Sequence, residues 1–157
     1  MAFPMQRQTQ TLWCWAAVTA SVDAFLSRGA GRTQCAVANL TLGGTGCCRS
    51  PASCNRTAAL EVALGRAGLL AAAYDRALEF HEVKAEIVAD RPVCARIVWA
   101  GGGGHFVVIS GCRVSNRGVP LLTVGDPWYA PSNPVTYYDF RYGYLGSGRW
   151  RASYLVG

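Results

Sequence analysis

Cysteine places the tightest constraint on this chain: there are seven, an odd number, at positions 14, 35, 47, 48, 54, 94 and 112. If most of them pair, at least one thiol stays free, and a free thiol in an oxidising compartment needs a chemical reason. Cys35, Cys47, Cys48 and Cys54 lie close enough along the chain to form two bridges, with three connectivities open. Zinc is the rival reading of that cluster, but the adjacent Cys47-Cys48 and the lack of a CxxC pair speak against it. With 157 residues, 51% apolar and 15% charged, the chain is a single domain, 1–157, with enough apolar side chains to build a core that does not depend on bridges alone.

The formal charge is +6, and Lys84 is the sole lysine among fifteen basic residues. The arginines are spread from Arg7 to Arg151 without a dense run, so nucleic acid is not an expected partner, whereas an anionic envelope or an acidic substrate stays open. No stretch approaches the apolar length of a membrane span. Met1 to Thr11 has no hydrophobic centre of a signal peptide, so an exported form is expected to have lost its leader or to use another route.

Trp15, Val18, Val22, Phe25 and Leu26 recur at helical spacing and predict a helix over 12–27, closed by Gly29. Shorter helices are expected over 35–42 and, capped by Asn55 and ended by Gly68, over 55–66. From about residue 71 the pattern changes. Strands are expected over 71–78, 92–99, 105–112, 121–124, 135–140 and 150–156, with a helix over 81–89. The fold class is α+β, with a helical half of about 1–70 and a partly closed antiparallel sheet over about 71–157. A hairpin turn centred near Gly103 sets Cys94 opposite Cys112, the expected third bridge.

That count leaves Cys14. It sits in the first turn of the first predicted helix, where unpaired backbone N–H groups and the helix dipole favour negative charge on sulfur. His105 follows four glycines and opens an apolar strand, so another part of the chain can approach it closely. Asp126, in Gly125-Asp126-Pro127 at a strand end, is placed to accept Nδ1–H from His105, leaving Nε2 to take the thiol proton. No cofactor or metal is expected. His81 is expected to be structural, and Tyr137, Tyr138, Tyr142, Tyr144 and Trp150 are either core or groove lining.

With Gln8 six residues before Cys14-Trp15, His105-Phe106-Val107-Val108 opening a strand, and Gly125-Asp126-Pro127-Trp128 at a later strand end, the chain resembles the papain-like cysteine peptidases. It is most similar to the compact bacterial branch that includes staphopain-like enzymes and a secreted effector protease of plant pathogens. The segment Phe80 to Ile87 followed by Arg91-Pro92-Val93 also looks like the helix and strand before the histidine in that branch. Asp126 stands where papain itself carries Asn. The Cys35/Cys47/Cys48/Cys54 cluster is not a general feature of the family. The resemblance implies a papain-like fold, with Gln8 as an oxyanion donor together with the Cys14 backbone N–H. It further implies that Trp15 packs behind the nucleophile and that Trp128 shields the His105–Asp126 contact.

The expected function is therefore a secreted or exported cysteine endopeptidase, such as a bacterial effector, acting on protein or peptide through a Cys14 thioester. A cognate inhibitor or immunity protein would be a natural partner. A peptidoglycan amidase or related acyl transferase is the first alternative, since a basic protein meets an anionic envelope favourably. A non-enzymatic, disulfide-stapled binding or inhibitor domain is the second, and it requires Cys14 to be paired or His105 to lie far from it.

Overall fold

The computed structural model describes residues 2–129 and 133–157. Helix α1 (Cys14–Leu26) is buried on every side from Trp15 to Asp23, and it packs against α2 (Gln34–Leu42), α3 (Leu60–Ala67) and the sheet. This explains why its sequence is apolar all round, not striped as on a surface helix. After α1 the chain turns through Arg28 and Gly29 at positive φ and presses back on the helix at Gly31, where a Cβ would lie 2.3 Å from the Ala24 nitrogen. Only glycine allows that approach.

Six antiparallel strands form one sheet in the order β1-β6-β2-β3-β4-β5, built from β1 (Leu70–Tyr74), β2 (Val93–Trp99), β3 (Gly104–Val114), β4 (Pro120–Gly125), β5 (Asn133–Thr136) and β6 (Gly148–Val156). The expected partial closure is wrong: β1 and β5 are opposite edges, and among the described residues no ladder joins them. The sheet has no need to curl on itself because both faces are covered. One face carries Cys94, Val108, Ala152, Tyr154 and Val156 against α1 and the other N-terminal helices. The other packs Val93, Ile97, Val107, Ile109 and Leu122 under α4 (Phe80–Val88) and α5 (Tyr137–Gly143).

Three local expectations also change. Helix α3 starts at Leu60, because Asn55 does not cap it: Asn55 accepts from the Leu12 N–H (2.9 Å) and donates to Thr11 Oγ1 (2.9 Å). The strand expected over 135–140 becomes β5 followed by α5. Thr136 caps the helix by accepting from the Asp139 N–H (3.0 Å), and Phe140 and Tyr144, four apart, turn together onto Trp150 and the sheet. Capping and a shared buried face outweigh the β-propensity of the tyrosines. The third correction is the hairpin.

That hairpin turns tightly, with Trp99 N–H donating to Gly103 O (3.2 Å) and Gly102 and Gly103 at positive φ. The ladder then sets Cys94 against Val108, while Cys112 pairs with Leu122 of β4. Cys94 and Cys112 are both free and pack into the cores on opposite faces of the sheet, so the expected third bridge does not exist. Burial pushes the Cys94 thiol up to about 12. The N-terminal cluster does form two bridges, Cys35–Cys48 and Cys47–Cys54, which leaves none of those four sulfurs to bind zinc. Two bridges are consistent with folding in an oxidising environment.

Candidate active site

A strap of N-terminal chain joins the two halves before α1 begins. Gln34 is buried on α2 and accepts from the Thr9 N–H (3.0 Å) while donating to the Arg7 carbonyl (2.8 Å), and the Gln6 N–H donates to Ser21 of α1 (2.9 Å). The same strap reaches the sheet. Met5 lies over Gly125, where a Cβ would come within 3.0 Å of its side chain, and the Gln8 N–H donates to the Pro127 carbonyl (2.8 Å). The turn carrying Asp126 is thereby tied to the segment leading into Cys14.

The start of α1 is anchored from the opposite side by the disulfide loop. The Trp13 indole donates to the Cys54 carbonyl (2.8 Å), the Trp15 indole to the Arg56 carbonyl (3.0 Å), and Asn55 holds Thr11 and Leu12 between them. Trp13 and Trp15 are both almost fully buried. Cys14 is the first helical residue, and its N-cap, Trp13, makes no side-chain capping bond, so first-turn N–H groups remain available to a ligand. Its thiol is free and half-buried.

Cys14, His105 and Gln8 line one groove of about 950 Å³ between the helical layer and the sheet. His105 Nε2 meets Asp126 Oδ1 at 2.7 Å, both side chains being buried. The ring is thus used the other way round from the sequence expectation: Nε2 faces the carboxylate, and Nδ1 is left for the thiol. Asp126 is further satisfied by the Trp128 N–H on Oδ1 (2.8 Å) and by the Tyr144 hydroxyl on Oδ2 (2.8 Å). Burial works to raise the Asp126 pKa, but the hydrogen bond and charge of His105, then Trp128 and Tyr144, hold it below the usual carboxylate range.

For His105 the balance is similar. Burial alone favours the neutral ring, yet the hydrogen bond to Asp126 and the proximity of Cys14 outweigh it and raise the imidazole to about 9. A folded-state pKa above the ordinary 6.5 means that the pair stabilises the fold fully below about pH 6.5 and that this contribution is lost as pH rises through about 9. Around neutrality the ring is therefore a cation beside sulfur.

The surroundings of the histidine were not legible in full. Trp128, expected as a shield, has 43% of its surface exposed and lines the groove; only its backbone touches Asp126. The shield is Trp99, which stacks on His105 (centroids 6.2 Å, planes 23° apart) and on Tyr144 (6.3 Å, 22°). A tight turn after Trp99 would have predicted this, because it brings the end of β2 beside the start of β3. Nothing in the sequence singles out Tyr144 as the partner of Asp126.

Gln8 stands at the groove wall with Nε2 donating to the carbonyls of Gln10 (2.9 Å) and Thr11 (2.8 Å), while its buried Oε1 has no partner. Of the remaining aromatics, Phe140, Tyr144 and Trp150 are core, Tyr138 and Tyr142 are exposed, and none of them lines the groove. His81 lies exposed on α4, away from the site. No described helix is long and apolar enough to cross a membrane.

A cysteine at a helix start facing a carboxylate-bound imidazole defines a class of thiol hydrolase by its geometry. Comparison with protein families agrees: the model described as "Papain-like cysteine protease AvrRpt2" (Peptidase_C70) matches residues 1–144. The chain belongs to this family of papain-like cysteine proteases. No curated protein matches it.

Proposed function

We infer that this protease is an endopeptidase in which Cys14 is the nucleophile, His105 the acid–base group and Asp126 its orienting carboxylate. The observation that carries this reading is the buried 2.7 Å His105–Asp126 hydrogen bond at the wall of the groove that Cys14 enters. The non-enzymatic alternative required a paired Cys14 or a distant histidine, and neither holds.

The Cys14 sulfur attacks a peptide carbonyl carbon, and the electron pair of the C=O moves to oxygen. The Cys14 backbone N–H supports that oxyanion. Gln8 Nε2 joins it by sharing a proton now given to the Gln10 or Thr11 carbonyl, and such a donor contributes roughly 3 kcal/mol in the transition state. As the oxyanion collapses, the C–N bond breaks and the imidazolium protonates the departing amine, leaving a thioester. Water then attacks the thioester, giving its proton to neutral His105, and the acid leaves as the thiol sulfur is released.

Because the imidazolium is the proton donor, kcat/KM is expected to fall as pH rises through about 9. Asp126→Asn keeps a hydrogen-bonding side chain but removes the charge, so burial then governs the ring and the alkaline limb moves at least about one unit towards acid. A pH–rate profile of both proteins checks this.

The substrate is read as polypeptide, and the two bridges and the family together support an exported protein of the effector type. The test pairs internally quenched peptides with purified peptidoglycan. Cleavage of the peptides with no release of amines from the wall is expected; the converse pattern would establish the amidase reading.

A further inference from the structure

Along β2 the side chains from Val93 to Ile97 are buried with one exception, Arg96. Its register partners are Phe106 on β3 and Ala152 on β6, and Tyr154 stands diagonally beside it on the same face. Arg96, Phe106 and Tyr154 all line the groove that holds Cys14 and His105. The arginine lies close to the reacting groups: a Cβ built on Gly104, the residue before His105, would meet the Arg96 Nε at 3.5 Å and Nη2 at 3.9 Å. Glycine at 104 thus leaves room for the guanidinium to lie across the groove floor.

Arg96 is the one charged side chain, apart from the protonated His105, that lines this groove. Other arginines of the protein are committed: Arg32 to Asp23, Arg76 to Glu82, Arg91 to Glu86 and Arg141 to Glu79. Among the described residues no carboxylate lies within ion-pairing distance of Arg96. Glu61 and Asp75 reach the neighbouring Tyr154 only through longer-range charge, as Arg96 does. An unpaired guanidinium fork flanked by two aromatic rings on a groove floor suits a carboxylate lying flat between them.

We propose that Arg96 makes this groove selective for polypeptides carrying an aspartate or glutamate close to the cleaved bond. The inference rests on the protease reading for its substrate but not for its charge preference. A neutral amide of the same shape offers one acceptor oxygen in place of two and no charge, so the preference for Glu over Gln is expected to be about tenfold in kcat/KM at the position that meets Arg96. The preference is confined to that position.

The experiment uses peptide pools in which a single Glu or Gln is walked through otherwise randomised sequence. Wild type is expected to favour Glu at one position, Arg96→Gln to lose that preference, and Arg96→Glu to favour Lys or Arg there. Arg96 is exposed, so these variants keep the fold. Equal rates at every position, or a Glu preference unchanged in Arg96→Gln, would overturn the proposal. Binding of the same pools to Cys14→Ala, read by tryptophan fluorescence, separates charge preference from chemistry. An Arg96-dependent Glu preference in binding, without cleavage by wild type, would uphold the carboxylate site and overturn the protease reading; cleavage without any Glu preference would do the reverse.

Discussion

His105→Ala is expected to lower kcat/KM on a cleaved peptide by about a thousandfold or more, because one side chain both protonates the leaving amine and activates water. The loss should exceed that of a pure acid–base deletion. Without the ring, Asp126 keeps its bonds from Trp128 and Tyr144 but becomes a buried carboxylate missing its cationic partner, and Trp99 loses the surface on which it stacks. The fold itself is expected to persist, since the strap from Met5 to Thr9 ties the Asp126 turn to the helices independently of the ring. Circular dichroism together with steady-state rates checks both halves of this expectation. Residual activity within tenfold of wild type would remove His105 from the chemistry.

The second large effect concerns a bridge outside the groove. Cys47–Cys54 closes a short loop, and the chain-entropy model assigns it about 2–3 kcal/mol of stability. Its loop does more than close: Cys54, Asn55 and Arg56 together receive the Trp13 and Trp15 indoles and hold Thr11 and Leu12, the residues on either side of Cys14. A Cys47→Ser/Cys54→Ser double variant is therefore expected to lose activity beyond its loss of stability, about a hundredfold at a temperature where it remains folded. A displacement of about 1 Å at a nucleophile suffices for that. The double variant is preferable to a reducing agent, which would act on Cys14 as well. Urea titration and kcat/KM measured in parallel test the claim, and a stable variant of unchanged rate would show that the loop is held without its bridge.

What could be read in the sequence, and what could not, follows from how local each signal is. Cys14 was legible because a helix start is a local event and the glutamine six residues earlier carries the resemblance. His105 and Asp126 were legible as strand ends marked by glycine and proline. Their meeting was an inference about tertiary structure that the 2.7 Å contact bears out, although with the two ring nitrogens exchanged. The Cys94–Cys112 pairing failed because β-branched composition identifies two strands without fixing their register. Four consecutive glycines leave the turn free to tighten, which moves every partner along the ladder. Trp99 was hidden by the same ambiguity.

Sheet closure failed for a different reason. Whether a sheet curls depends on what covers its faces, and α5, which covers part of one, reads as a strand until the Thr136 cap and the Phe140–Tyr144 spacing are weighed against its tyrosines. Tyr144 joins Asp126 only because α5 is a helix that ends beside the β4 turn.

The central claim is that the odd cysteine is the nucleophile. Initial rates of wild type and Cys14→Ala on the same internally quenched peptide pools test it most directly. Cleavage by wild type and a rate at least about ten-thousandfold lower in the variant, indistinguishable from the uncatalysed background, is the predicted result. Cleavage by Cys14→Ala within a hundredfold of wild type would contradict it.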